Sequence, residues 1–444
     1  MLCKTATLAS LLMPGWRPAA VGFQDSDTHP IRCNYSLEED AGRCDIVLAA
    51  VEQAWDVQVN QIGFPAPIPD EDGLLDIYLH EDPDGGAYAW CGTYGDDDPD
   101  DGRSGCAAII AIDRQIPDKI LPWYLAHEFN HALQWATDFN EATTAVWEGT
   151  ATAAEPWTDA SAFKVDLSYL EDFQATPWLG ILGDGTFLWD EHQLWSYYEY
   201  GAALWVLHLD HAYGDGAGSG GRDLWLALAQ EGLPNSPDVI DGYDTLSGDW
   251  RAALMDFSLE RTRVGTEHAP EWADFPVGRV TLSPDAVVAW PTGDLVPAVQ
   301  PYETGAVYWV LEGVPADQRV RMDLSSTREG EWGLLWSQGD AGQWVRGQTL
   351  EFQAPGGDLW VGAVNLDHPT YARTAALPAL RAGQQDITLH ISELEPASED
   401  TGSDSAADTG TQESEGGCGG CGGAGGGGLW GLAGLGLLWR RRRA

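Results

Sequence analysis

The hydrophobic pattern of this chain changes from a helical period to a strand period near residue 276. Between residues 116 and 265 the apolar positions recur with a helical period, and the segments end near Gly, Pro or Asn/Asp. The clearest are DKILPWYLAHEFNHALQWAT, EATTAVWEGTATAAE and YYEYGAALWVLHLDHAYG. Residues 277–391 instead contain short alternating runs such as GAVYWVL, RVRMDL, LWVGAVN and DITLHI. This pattern predicts an all-β sandwich over residues 276–392.

Residues 30–115 combine one helical stretch with two strand-like runs. DIVLAAVEQAWDVQV (45–59) has a helical period, whereas LLDIYLHE (74–81) and CAAIIAID (106–113) are apolar runs of strand length. A small sheet therefore precedes the predicted helices. The sequence predicts an α+β fold, with one region over residues 23–275 and the sandwich after it.

The charge of the chain excludes one class of partner. The net charge is −46, and only 23 Lys and Arg residues are spread over the chain. Attraction to a phosphate backbone requires clustered cations, so nucleic acid is not the expected partner. A solvated acidic surface is the favoured interpretation, and binding of divalent cations at a few positions is the functional alternative. DPDGG (82–86) and DDDPDD (96–101) are oxygen-rich enough for Ca²⁺ but lack an EF-hand spacing, so solvated loops are favoured there.

Four cysteines bear on the redox compartment. Cys33 with Cys44 and Cys91 with Cys106 would each close a short loop, and this is the preferred connectivity of the three that are compatible with four cysteines. Free or buried thiols are the alternative; a four-cysteine zinc site is disfavoured because no C-x2-C spacing occurs among them. The pattern favours an oxidising compartment.

Both ends of the chain have the composition of targeting segments. Residues 1–22 contain a short apolar run followed by small residues, which predicts a signal peptide, although a poor signal or a misplaced start codon would also explain it. Residues 393–417 are rich in Ser, Thr, Asp and Glu and predict a disordered linker. Residues 418–444 combine a Gly/Cys stretch, LWGLAGLGLLW and four arginines.

This tail resembles the MYXO-CTERM sorting tails of myxobacterial surface proteins. The resemblance implies that the protein is secreted or surface-anchored, that the tail anchors it transiently in the membrane, and that a sorting protease processes it at Cys418 or Cys421. An ordinary low-complexity tail is the alternative. The apolar segment alone is short for a bilayer core of about 30 Å.

The segment HEFNH (127–131) has the spacing of a zinc site. Residues four apart lie on one face of a helix, so His127 and His131 would present two imidazoles to one metal ion. Glu128 is turned by about 100° from His127, so its carboxylate would lie beside the metal, where it could accept a proton as a general base. Such a site requires a third ligand.

Glu148 follows His131 after sixteen residues, in the second helical segment. Here the sequence resembles the gluzincin metallopeptidases, in which H-E-x-x-H is followed by a glutamate ligand on the next helix, in an E-G-x-A context. It is most similar to secreted myxobacterial metalloproteases, whose H-E-F-x-H-A-x-Q, E-G-T-A and E-Y-G motifs recur here as HEFNHALQ, EGTA and EYG. The resemblance covers residues 70–215.

The resemblance implies a zincin-like catalytic region with one catalytic Zn²⁺, held by His127, His131 and Glu148. Glu128 would be the general base, and Tyr200 of the E-Y-G motif would donate a hydrogen bond to the oxyanion. Tyr200 could equally be a core tyrosine. Other candidates for these roles are Glu141 and Glu155 as fallback ligands or supporting groups, Tyr197 and Tyr198 as donors, and the histidines His192, His208 and His211.

These motifs predict a zinc-dependent endopeptidase that acts on a protein or peptide substrate. The chain has no G-x-M-E-N segment, which the gluzincin aminopeptidases use, and Thr152 stands where thermolysin-like enzymes have an aspartate. The alternative function is a surface binding or adhesion protein that keeps the zincin scaffold without turnover. A purely structural zinc is disfavoured, because closed structural sites usually contain cysteine.

Overall fold

A computed structural model describes residues 17–395, except for the segments 82–84, 95–104, 139–140, 142, 163–166, 184, 186–187, 189–191, 195, 230–238, 269–271, 273–274 and 368–385. The chain divides into a compact unit, Met1–Pro396, and a second unit, Ala397–Ala444. All described residues lie in the first unit. Most of the predicted signal peptide and acidic linker, the sorting tail with Cys418 and Cys421, and most of both acidic clusters lie outside the described residues.

A five-stranded sheet forms the N-terminal part of the compact unit. Its strands are β1 (Gly22–Asp25), β2 (Ile31–Tyr35), β3 (Leu75–His80), β4 (Ala87–Tyr94) and β5 (Cys106–Asp113), in the spatial order β1-β2-β3-β5-β4. The inner strands β2, β3 and β5 are parallel, whereas β1 and β4 pair antiparallel at the two edges. Every residue of β5 is buried, which explains its continuous apolar run.

One helix lies between the second and third strands in the chain, and the other helices follow the sheet. They are α1 (Cys44–Trp55), α2 (Leu121–Thr137), α3 (Thr144–Thr158), α4 (Ser168–Ala175), α5 (Tyr198–Gly201), α6 (Ala203–Tyr213), α7 (Ser219–Leu228), α8 (Val239–Ser247) and α9 (Trp250–Glu260). Short 3-10 turns lie at Glu38–Arg43 and Pro177–Leu179, and α1 continues as a π-helical segment, Asp56–Ile62. The helical segment predicted around EYG is divided at Ala202 into α5 and α6.

Helix α2 lies at the centre of this region. It packs against β4 and β5 on one side and against α1 and α3 on the others. Its apolar residues Leu125, Phe129 and Leu133 are fully buried. Because α2 is enclosed on several sides, even its polar residues are shielded from solvent.

Two further sheets make up the C-terminal part. Their strands are β6 (Ala286–Ala289), β7 (Asp294–Leu295), β8 (Ala306–Val314), β9 (Arg319–Ser326), β10 (Trp332–Gln338), β11 (Ala341–Arg346), β12 (Thr349–Gln353), β13 (Gly357–Asn365) and β14 (Ile387–Glu393). The spatial orders are β11-β10-β13-β8-β6 and β12-β9-β14-β7. Side chains from both sheets, among them Trp309, Met322 and Leu389, form one hydrophobic core. The prediction of mixed helical and β structure is confirmed.

The helical part packs directly on these sheets through α9. Met255 of α9 lies against Gly333 of β10, where a Cβ atom would collide with its sulfur. The Tyr308 hydroxyl donates to the Ser258 carbonyl at 3.0 Å, and the hydroxyl oxygens of Thr262 and Ser337 are 2.8 Å apart. These contacts join the helical part to the sheet β11-β10-β13-β8-β6.

Both predicted disulfides are present. Cys33 of β2 is bonded to Cys44 of α1, and Cys91 of β4 to Cys106 of β5, with a Cα–Cα distance of 5.6 Å in each. They fit a protein from an oxidising compartment. Among the described residues, no helix has the length and apolar character needed to cross a membrane.

The first disulfide should contribute measurably to stability. Cys33 and Cys44 are 11 residues apart, and opening a loop of this size increases the entropy of the unfolded chain. We expect the double variant Cys33→Ala/Cys44→Ala to lower the free energy of unfolding by about 3 kcal/mol in urea titrations. Cys418 lies outside the compact unit, so Cys418→Ala is the control and should leave the free energy of unfolding unchanged. A double variant as stable as the wild type would contradict the prediction.

Candidate metal centre

Three buried side chains from two helices converge on one point. His127 and His131 lie one turn apart on α2, and their Nε2 atoms are 3.1 Å from each other. Glu148 of α3 places its Oε2 atom 3.2 Å from Nε2 of His127 and 3.5 Å from Nε2 of His131. In the described part of the chain, these residues form the single group of three or more His, Cys, Asp or Glu side chains that could hold a metal ion.

Local structure at the start of α3 sets the position of Glu148. Glu141 Oε1 accepts a hydrogen bond from the Thr143 amide at 2.7 Å, and the Trp147 indole donates to the Glu141 carbonyl at 2.9 Å. Gly149 allows α3 to approach the α5–α6 junction, since a Cβ there would lie 3.1 Å from the Ala202 carbonyl carbon. Glu141 therefore supports the N-terminus of α3, and it is not among the three convergent residues.

The outer nitrogen of each histidine faces a hydrogen-bond acceptor. His127 Nδ1 is 3.1 Å from Glu155 Oε1, and His131 Nδ1 is 2.7 Å from Gln134 Oε1. Because each oxygen can accept a hydrogen bond from Nδ1–H, Nε2 of each ring faces the common point near Glu148, where its lone pair can bind a metal ion. Glu155 thus contacts the outer side of His127. Gln134 is the last residue of the HEFNHALQ motif, but no role was predicted for it, although its position three residues after His131 places both on one helix face.

The electrostatics of the group favour a positive charge at its centre. Burial by itself lowers the pKa of His127, but hydrogen bonds with Glu148 and Glu155 and the charge of Glu128 raise it well above its usual range. Burial raises the pKa of Glu148, whereas the neighbouring charge of His131 and hydrogen bonds with both histidines hold it below its usual range. The buried carboxylate stabilises a cation at this point, whether a proton or a metal ion.

Glu128 and Tyr200 lie beside the convergent group. Glu128 is 1% exposed, and its charge acts on the pKa of His127, so it lies within electrostatic reach of that ring. The Tyr200 ring stacks on the His127 ring, with centroids 5.7 Å apart and an interplanar angle of 20°. The predicted base and the predicted donor therefore both lie near His127.

The remaining candidates have other neighbours. Tyr198 donates its hydroxyl to the Gly180 carbonyl at 2.7 Å, and the Tyr197 ring meets the edge of Tyr200 with centroids 5.9 Å apart. His208 pairs with Glu260 at 2.8 Å. The rings of His192 and His211 contact Trp178 and Trp272 respectively. None of these three histidines belongs to the convergent group in the described residues.

Comparisons with known proteins identify no relative that indicates the role of this site. No protein-family model matches the chain, and no curated protein matches it. One similar solved structure is PliG of Aeromonas hydrophila, a periplasmic inhibitor of g-type lysozyme, with 12% identity over 25% of this chain and 100% of that chain, and a TM-score of 0.18. Another is BtGH115A, a family GH115 4-O-methyl-alpha-glucuronidase, with 9% identity over 64% of this chain and 46% of that chain, and a TM-score of 0.17. Likenesses this weak carry no argument about fold or function.

Gly201 holds α5, and with it Tyr200, close to α4. A Cβ at Gly201 would collide with Phe173 Cβ and lie 2.5 Å from the Tyr169 carbonyl oxygen. We expect Gly201→Ala to destabilise the fold by about 1–3 kcal/mol, as overpacking does, in urea unfolding. The control is Gly42→Ala, where a Cβ meets nothing within 4 Å. Equal stability of the two variants would show that the close approach is absent in solution.

Proposed function

We propose that this protein is a zinc-dependent metallopeptidase with His127, His131 and Glu148 as the metal ligands. The observation that carries the proposal is the convergence of three buried ligand atoms from two helices in the order H-E-x-x-H…E. Removing two imidazoles and a carboxylate from water costs free energy, and a bound cation would offset that cost. A metal ion bound by all three side chains would be such a cation.

The spacing of the ligand atoms fits zinc. The three distances between them are 3.1, 3.2 and 3.5 Å. Tetrahedral coordination with bonds of about 2.0–2.1 Å has edges of about 3.3 Å. Two nitrogens and one oxygen without cysteine are the ligand set of catalytic zinc sites, which keep a fourth position open. Calcium would need about six to eight oxygen ligands, which this group does not offer.

The neighbouring side chains fit the hydrolysis of a peptide bond. A bound zinc ion supplies Lewis acidity, which polarises a carbonyl and lowers the pKa of an adjacent water to about 7. Glu128 would accept the proton of the attacking water and deliver it to the leaving amine. Tyr200, stacked on His127, is the candidate to donate a hydrogen bond to the carbonyl oxygen as negative charge develops there.

We further propose that residues 23–275 have a zincin-like fold of the gluzincin type, that the protein acts as an endopeptidase, and that it is secreted or held at the cell surface. The packing of α2 between the mixed sheet and α3 supports the first point. The two disulfides support export. The two-sheet C-terminal part would bind substrate or the cell surface, and the tail would serve as a transient anchor.

Three variants of the full-length chain test the assigned roles. Glu128→Gln should keep one zinc per chain but lose about 10²–10⁴-fold in casein hydrolysis, because general-base catalysis contributes that factor. Glu148→Ala should weaken zinc binding beyond the about 10–100-fold typical of outer-shell changes. Glu141→Gln is the control. Its amide oxygen can still accept the hydrogen bond from the Thr143 amide, so Glu148 keeps its position and zinc affinity should be unchanged.

Metal analysis and proteolysis together separate the competing functions. Stoichiometric zinc without turnover on a broad peptide library would support the non-catalytic binding protein. Wild-type protein that binds no zinc would overturn the proposal altogether.

A further inference from the structure

We propose that a buried relay of three amide side chains, Gln58, Asn130 and Gln134, positions His131 for metal binding. In this arrangement Gln134 holds the imidazole directly, and Gln58 acts on it through two intervening amides. This inference rests on the proposed metal site, but it concerns residues that never touch the metal. Gln58 and Gln134 are therefore positioning residues.

The relay is continuous from α1 to the metal ligand. Gln134 Oε1 lies 2.7 Å from His131 Nδ1, and Gln134 Nε2 donates to Asn130 Oδ1 at 2.9 Å. Asn130 Nδ2 in turn donates to Gln58 Oε1 at 3.0 Å. All three amide side chains are fully buried. Leucine could fill such positions without the desolvation cost of an amide, so packing alone does not explain them.

Two backbone carbonyls determine the direction of every hydrogen bond in the relay. Gln134 Nε2 donates to the Trp147 carbonyl at 3.0 Å, and Gln58 Nε2 donates to the Ala126 carbonyl at 2.9 Å. A carbonyl only accepts hydrogen bonds, so both amide nitrogens must face these carbonyls and both amide oxygens must face the other way. The oxygen of Gln134 therefore points at His131.

The orientation of Gln134 in turn selects the tautomer of His131. An amide oxygen cannot donate, so the neutral imidazole must carry its proton on Nδ1. The Nε2 lone pair is then directed toward His127 and Glu148, as metal ligation requires. The same Gln134 amide bonds the carbonyl of Trp147, the residue before Glu148, so it links the two ligand helices.

The π-helical segment after α1 brings Gln58 into this position. Gln58 lies in the segment Asp56–Ile62, where α1 widens before ending at Gly63. Besides its bond to Ala126, its amide nitrogen lies 3.1 Å from the hydroxyl of Thr158 at the end of α3. Isolated π-helical turns are rare and frequently occur at functional sites. Here the turn connects α1 with both ligand helices.

Gln58→Leu in the full-length chain tests the relay at its far end. We expect zinc affinity, measured by competition with a chelator, to fall about 10–100-fold, the effect typical of outer-shell partners. The matched control is Gln53→Leu. Gln53 also extends from α1 to the end of α3, donating to the Thr158 carbonyl at 3.0 Å, but it has no bond to the relay. This control should bind zinc as the wild type does.

A second measurement reads the tautomer directly and distinguishes positioning from simple stabilisation. Long-range ¹H–¹⁵N correlation spectra of histidine-labelled, metal-free wild type should show the neutral His131 ring protonated on Nδ1, and Gln58→Leu should show a mixture of tautomers. An Nε2-protonated ring in the wild type would overturn the relay, even if Gln58→Leu does not fold. So would a Gln58→Leu variant with lower unfolding free energy but wild-type zinc affinity and tautomer. Wild-type protein that binds no zinc would refute the proposed function. The tautomer of His131 would still show whether the relay orients this ring.

Discussion

The contact between α2 and α3 is the interaction on which the rest of the site depends. It brings the Glu148 carboxylate within 3.5 Å of two imidazoles in a region with almost no solvent exposure. A lone carboxylate would be strongly destabilised there, and so would a lone imidazolium. Hydrogen bonds with both imidazoles stabilise the carboxylate, and its negative charge favours a cation at this point, either a proton or a metal ion. The chemistry proposed for the site follows from this one helix contact.

Close approach of backbones and hydrogen-bonded buried polar groups fix the relative position of α2, α3 and their neighbours. Gly149 lets α3 reach Ala202, and Gly201 lets α5 reach α4, so the glycines of EGTA and EYG are explained by packing. The Trp147 carbonyl accepts a hydrogen bond from Gln134, which crosses from one ligand helix to the other. Sites supported in this way by helices and by fully bonded buried groups are held more precisely than sites on loops.

The sequence predicted the regular elements best where the apolar pattern was long. Residues 106–113 were predicted as a strand and form β5 in full, and the helical stretch around HEFNH corresponds to α2. Strands β1, β2 and β4 have no counterpart among the predicted strand-like runs. β1 and β2 are short, and β4 contains Gly92 and an irregular register. The π-helical segment after Trp55 was also missed, because its apolar period differs little from that of the preceding helix.

Local spacing determined part of the site. Two histidines four residues apart share a face of any α-helix, and cysteines 11 and 15 residues apart can pair within short loops, so both features could be inferred from the sequence alone. The role of Glu148 could be inferred only from the resemblance to a known family, because the sequence between α2 and α3 does not determine how far Glu148 lies from the two histidines. The contacts of Gln58 with Asn130, 72 residues away, and of Tyr200 with His127 were decided only by the tertiary structure. Such contacts depend on how helices pack, and side-chain periodicity carries no information about which distant residue lies opposite.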